Sequence, residues 1–520
     1  MRSDSGHTTS VWMDTIDVPA LPHITQDMRT NICVVGAGIA GMSTAYLLAR
    51  AGRAVIVIDD GPVGGGETGR TTAHITAALD DRYYDIEKLH GEGGSRLAAE
   101  SHTAAITRIE SIASLEDIDC DFERVDGYLF LGSNDKRQKL EEELEAALRA
   151  GLREVEIVEK APFDFWDSGP ALRFPRQAQF HPLKYLNGLT RALLRDGAQI
   201  FTGAHADKIE DGEPCKVTTS DGFVITADHI VVATHTPVND WVILHTKQSA
   251  YRTFVIGARV PRSSVPRGLY WDTLEPYHYI RLQEVDARLD PDRSDEILLV
   301  GGEDHKTGQE DDAEERFKRL EDWTRERFPM VQSVDFRWSG QIMEPVDSMA
   351  FIGKNPGNDE HIYIATGDSG NGMTHGTIAG MLLSDTILGR ENPWKKLYDP
   401  SRKTLRATGA FLKENLNVAV QYADWARQSE VGSYDEIEPG SGANVRRGAA
   451  RIAVFKDDQG MIHERSAVCT HLYCIVAWNS AERTWDCPCH GSRFDPYGSV
   501  VNGPAIAPLP ELEEPKTVPR

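Results

Sequence analysis

The chain has 520 residues, 40% of them hydrophobic and 26% charged, with 56 Lys and Arg against 80 Asp and Glu for a net charge of -24. These values suit a soluble globular protein of about three domains and exclude a long disordered or collagen-like chain. So acidic a chain is a poor partner for nucleic acid or an anionic membrane surface.

No apolar run reaches the roughly 18 residues of a membrane-spanning helix, and the N-terminal residues MRSDSGHTTSVWMDT lack an apolar signal core, so no membrane insertion and a cytoplasmic location are expected. Residues 1–28 read as an irregular lead-in. At 31–35 an apolar strand, NICVV, runs into GAGIAG and a helical stretch, and a second strand, AVIVID, follows at 54–59. That strand–turn–helix–strand unit predicts a parallel sheet. Residues 100–118 and 135–152 have the pattern of amphipathic helices. From about 153 short strands alternate with turns, which predicts an antiparallel sheet. The charged segment 309–329 reads as a solvated helix with i,i+4 pairs. Residues 361–389 return to strand, glycine-rich turn and helix; 401–430 form a connecting helix; 431–444 are linker-like; and a small all-β module ends the chain.

Gly36, Ala37, Gly38, Ile39, Ala40 and Gly41 lie between strand and helix, where glycines let backbone approach a pyrophosphate at a helix N-terminus. Asp59 ends the second strand, placed to hydrogen-bond a ribose. A second match to the spacing, Gly64 to Gly69, lies too close behind to open a nucleotide domain of its own. The segments GETGRTTAHITA (66–77), VVATHTPV (231–238), WSGQIMEPVDSMAFIG (338–353) and IYIATGDSGNGMTHGTIAG (362–380) resemble those of the D-amino-acid oxidase, glycine oxidase and sarcosine oxidase superfamily. The resemblance covers about 29–390 and implies FAD, contacted by Arg70, Thr71, Thr72, Ala233, Gly367, Gly370, Asn371, Gly372, Met373 and Thr374 as well as the fingerprint.

Four of the seven cysteines crowd near the C-terminus, as Cys469-Thr-His471-Leu-Tyr-Cys474 and Cys487-Pro-Cys489-His490. Two thiolates for one iron and two imidazoles for the other make the ligand set of a Rieske [2Fe–2S] cluster, here Cys469, His471, Cys487 and His490. Zinc sites instead pair like ligands in each half. The motif closely resembles a Rieske domain, and that resemblance implies a Cys474–Cys489 disulfide bracing the cluster loops. Tyr473 stands where the family places a glycine, and GSVVNGPAIAPL (498–509) is similar to the loop that covers the cluster.

The expected fold is an α/β (α+β) two-domain flavoprotein, with a Rossmann-like FAD-binding domain and an antiparallel-sheet substrate domain, followed by an all-β Rieske domain. Residues 29–400 form the oxidoreductase, with FAD-binding parts at 29–100, 180–240 and 335–400 and substrate parts at 101–179 and 241–334. Residues 401–443 connect it to the Rieske domain at 444–520. Tyr277, Tyr279 and Arg281 alternate along one strand, so they share a face, and the resemblance implies a substrate-carboxylate site for Tyr and Arg. His305 and Lys306 end another strand, where a lysine beside the flavin promotes oxygen reactivity in some relatives. Some amine dehydrogenases of the superfamily attach FAD through a histidine in a comparable loop, which makes His74 a candidate, though a histidine packed beside noncovalent FAD is the favoured reading; His375 falls near the flavin motif. Together these features imply oxidation of a small amine or amino acid by hydride transfer to flavin N5, with electrons leaving through the cluster to an external one-electron acceptor. An NAD(P)H-linked reductase and a non-enzymatic relay are the alternatives. The reductase would need a second nucleotide fingerprint in its own βαβ unit, and none is found.

Overall fold

The computed structural model describes residues 5–512 apart from 134, 239–243, 287–288, 291, 293, 358–359 and 427. Two large sheets carry the oxidoreductase part. In the first, the strands Ile362–Thr366, Val224–Val232, Met28–Val35, Val55–Ile58 and Gln199–Phe201 lie side by side and parallel. Phe351–Lys354 closes one edge antiparallel, and the strands Ala206–Glu210 and Cys215–Thr219 hang from Val224–Val232. The central strands are apolar runs because both faces are covered, as parallel sheets require; all four residues of Val55–Ile58 are buried. Met28–Val35 is followed by the helix Ile39–Arg50, whose N-cap is Gly38. Gly41 lets that helix lie on the preceding turn, since a Cβ there would sit 1.9 Å from the Gly36 carbonyl oxygen.

The second sheet has nine strands and is antiparallel except where Leu269–Asp272 runs parallel to Glu123–Phe130. Its long strands Gln248–Pro261, Asp295–Lys306 and Ser333–Pro345 form one half, and His278–Glu284 leads to the other. The charged segment is the helix Ala313–Arg327, with the predicted i,i+4 pairs Arg316–Asp312, Lys318–Asp322 and Arg325–Glu321. Phe317 and Leu320 anchor its other face.

Beyond the helix Thr408–Gln421, a three-stranded sheet, Ser441–Arg447, Ala450–Lys456 and Ile462–Ser466, packs with a four-stranded one spanning Ala477–Asn479 to Val500–Asn502. The linker-like segment is shorter than its composition suggests, because Ser441 already opens the first strand. The lead-in is also more ordered than expected. Trp12, fully buried in the short helix Val11–Asp14, donates to the Thr71 carbonyl at 2.6 Å. No helix among the described residues is long and apolar enough to cross a membrane.

Candidate functional site

A long cavity opens between the two sheets. Gly36, Gly38, Ile39 and Ala40 line it, while Ala37 and Gly41 stand behind them. Gly36 has φ +107°, and a Cβ there would meet the Ala233 carbonyl oxygen at 2.4 Å, so only glycine fits the turn. Asp59 also lines the cavity, but its carboxylate accepts from the Ala37 and Gly61 backbone N–H groups at 2.5 and 2.8 Å, which fixes the loop. Thr71, Thr72 and Ala233 lie on its wall, as do Gly367, Gly370, Asn371, Gly372 and Met373 at the second glycine-rich turn. Thr374 faces away, bonding the His102 ring at 2.8 Å. The helix Gly372–Ile387 begins at this turn, so its free N–H groups and dipole favour negative charge there. This cradle of glycines at two helix N-termini fits a dinucleotide.

His74 lines the same cavity, between Thr72 Oγ1 at 3.1 Å and the Ile280 carbonyl at 3.3 Å. Burial, reinforced by Arg281, brings its pKa down to about 3, so the ring is neutral. His375 is likewise neutral, its pKa lowered to about 4 by burial, and its Nδ1 lies 2.8 Å from the Asp368 carbonyl.

At the other end of the chain, the four expected cluster ligands come together. Cys469, His471, Cys487 and His490 are buried, and the two imidazole centroids lie 5.1 Å apart. His490 Nδ1 is buried without a hydrogen-bond partner, which suits a nitrogen that ligates metal. Cys474 and Cys489 form a disulfide, whose sulfurs lie within 4.8 Å of the Cys487 sulfur. The donor set and its orphaned nitrogen fit a [2Fe–2S] cluster. Tyr473 adopts φ +61°, the left-handed conformation that its usual glycine would hold without strain.

A family model described as FAD dependent oxidoreductase matches residues 31–386. The chain belongs to that family. A second model, the Rieske [2Fe-2S] domain, matches residues 427–513. The oxidoreductase therefore binds FAD and a [2Fe–2S] cluster. It is 32% identical over 504 residues to the Rieske 2Fe-2S iron-sulfur protein YhfW of Bacillus subtilis (strain 168), covering 96% of this chain and 97% of that one. It is 27% identical over 380 residues to the gamma-glutamylputrescine oxidoreductase of Escherichia coli (strain K12), covering 70% of this chain and 85% of that one. Its fold superposes on the L-proline dehydrogenase of P. horikoshii with a TM-score of 0.58 at 16% identity, covering 72% of this chain and 98% of that one.

Three of the four substrate-pocket residues expected in the oxidoreductase lie elsewhere. Tyr279 does line the cavity. Arg281 shares its strand face, yet its guanidinium is sealed behind the cavity wall, donating to the Thr72, Ala73 and Phe180 carbonyls at 2.9–3.1 Å and to Gln283 at 2.6 Å. Fully buried and absent from the cavity lining, it is not placed to hold a carboxylate there. His305 stacks on Phe254 at a centroid distance of 5.6 Å, and Lys306 pairs with Glu414 of the connecting helix. The strand end carrying them turns toward the Rieske module rather than the cavity.

Arg70 is a different case: it lines the cavity, but its guanidinium donates to Thr8, the Ser339 carbonyl and Glu482 of the Rieske domain. Arg252, Glu67, Asp486 and Arg493 complete this buried ionic junction. Sequence reasoning missed it, along with Val500, Val501, Asn502 and Gly503 of the C-terminal domain, which line the same cavity. It also missed Gln341, which lines the cavity and donates to the Gly491 carbonyl at 3.1 Å, one residue from His490. Gly491 permits this approach, since a Cβ there would meet the Ala250 Cβ at 2.3 Å. His245 packs edge-on to His471, with centroids 4.9 Å apart.

Proposed function

We propose that the protein oxidises a small amine at the carbon bearing nitrogen and delivers the electrons through its own Rieske cluster to an external one-electron acceptor. Bound FAD supplies the hydride acceptor, and the cluster supplies a one-electron store. The substrate loses a hydride from carbon and a proton from nitrogen, and water then hydrolyses the resulting imine to a carbonyl compound and an amine. A relative named for gamma-glutamylputrescine supports the reaction type.

One observation carries the electron route: Gln341 touches both the flavin cavity and the loop of a cluster ligand. The protein's own part is positional. The glycine cradle fixes the cofactor, the cavity wall orients the C–H bond, and the buried junction holds the cluster domain in one place. His471 and His490, which would hold one iron of the cluster, are buried; the His471 ring packs on His245, and Gln341 donates to the Gly491 carbonyl beside His490.

Anaerobic mixing with a panel of amines tests this by absorbance and EPR. Flavin bleaching together with a rhombic Rieske signal is the expected result, with Gln341→Leu slowing the cluster signal but leaving the bleaching rate. Bleaching with a silent cluster would overturn the electron route. Reduction by NAD(P)H and by no amine would move the protein to the reductases.

A further inference from the structure

One wall of the flavin cavity is built from aromatic rings. His74, Trp271, Tyr277 and Tyr279 line it, with centroids 5.7 Å apart for His74–Trp271, 5.8 Å for His74–Tyr279 and 5.6 Å for Tyr277–Tyr279. Asp80 closes this wall, accepting from the Tyr277 hydroxyl at 2.6 Å. It also stands against the second glycine-rich turn, where a Cβ on Gly370 would lie 2.2 Å from its Oδ2. The carboxylate therefore sits where the aromatic wall meets the proposed flavin cradle. Thr253 ties Tyr279 in place at 2.7 Å.

The titratable groups packed around this wall are mostly acids, and burial also raises the Asp80 carboxyl itself. Asp304 lies behind Tyr277 and Tyr279, and its Oδ1 is buried without a hydrogen-bond partner. Burial pushes the Asp81 and Asp304 carboxyls up to about 7, and burial with the repulsion of Asp81 and Asp80 raises Glu344 well above its usual value. Against them stands little positive charge. Among the described lining residues Arg70 is the one Lys or Arg, and its guanidinium is spent on Thr8, Ser339 and Glu482. Arg82, whose charge acts on Asp80 from outside the lining, donates to the Leu79 and Asp272 carbonyls. A substrate carboxylate would find no available Lys or Arg lining this wall, and several acids around it. An organic cation would find π-faces and a carboxylate, the combination that recognises alkylammonium groups.

We propose that Trp271, Tyr277, Tyr279 and Asp80 form a cation box, and that the substrate is an alkylamine with a cationic nitrogen and no carboxylate beside the reacting carbon. The substrate class rests on the amine-oxidation reading above; the box does not.

Titration of the FAD-loaded full-length protein with tetrapropylammonium chloride tests it, against sodium chloride at equal ionic strength and against sodium benzoate. The readout is the shift in flavin absorbance, which needs no turnover. The cation is expected to bind and benzoate not to. Asp80→Asn and Trp271→Leu are each expected to weaken the cation about tenfold or more, and Tyr277→Phe to weaken it less. FAD content and circular dichroism show whether each variant is folded, and Tyr277→Phe with Trp271→Leu carry the test if Asp80→Asn loses FAD. Tighter binding of benzoate than of the cation, or unchanged cation affinity in the folded variants, overturns the box. Cation binding without flavin reduction by any amine overturns the amine-oxidation reading and leaves the box. Flavin reduction by amino acids without cation binding does the reverse.

Discussion

The Arg70 guanidinium and the Glu482 carboxylate meet at 3.0 Å, with neither side chain exposed to solvent. Arg70 belongs to the flavin loop and Glu482 to the cluster domain, so one ion pair joins the two redox sites. Glu482 also accepts from Thr8 and Ser339, and Arg252 stands 3.7 Å away. Glu482→Gln would leave three buried guanidinium groups facing a neutral amide. Breaking a buried pair from one side costs about 3–5 kcal/mol. The expected outcome is a cluster domain that exchanges amide hydrogens faster along residues 477–502 while the parallel flavin sheet stays protected. Equal exchange in the variant and the parent would show that the junction contributes nothing.

Acid should open the same junction. Burial raises the Glu482 pKa, but Arg70, Arg252 and Arg493 outweigh it and hold the carboxyl down from 4.5 to about 2. A depressed acid contributes stability that is present above its unfolded value and lost as pH falls toward the folded one. The window therefore runs from about pH 4.5 down to about 2, and the full loss is on the order of 3 kcal/mol. Small-angle scattering across this window should show expansion before the far-ultraviolet dichroism collapses. Loss of both signals together would mean that the junction is no weaker than the sheets.

Both cofactor sites were legible because their constraints are local. GAGIAG needs only its own turn and helix, and Cys469, His471, Cys487 and His490 sit on two short loops. Strand alternation also placed Tyr277, Tyr279 and Arg281 on one face correctly. It could not say that Thr72 and Ala73 stand between Arg281 and the cavity, since that depends on a loop about 200 residues away in sequence. The ionic junction was illegible for the same reason: Glu67, Arg252 and Glu482 share no segment and no period. In the lead-in, Val11, Trp12 and Met13 are buried, but three apolar residues are too few to reveal a helix.

FAD is expected to be held without a covalent bond to His74. Both ring nitrogens have neighbours at hydrogen-bonding distance, Thr72 Oγ1 and the Ile280 carbonyl, which fixes the ring as part of the wall. Precipitation with trichloroacetic acid should leave the yellow flavin in the supernatant and a colourless pellet. A yellow pellet that turns colourless in His74→Ala would establish attachment instead.

The Cys474–Cys489 bridge closes a loop with a sequence separation of 15 and holds the two ligand loops together. A closure of that length stabilises by roughly 3 kcal/mol on loop entropy. The bridge lies against the Cys487 sulfur, so its loss should be felt at the cluster before it is felt at the flavin. The double variant Cys474→Ser, Cys489→Ser is expected to lose its Rieske EPR signal at a lower temperature than the parent. Its flavin absorbance and amine-driven bleaching should be unchanged, because the cradle at Gly36 and Gly370 lies on other elements. Equal thermal loss of the EPR signal in both proteins would show that the flavin-domain contacts of Gly491 and His245, and not the disulfide, hold the cluster loops.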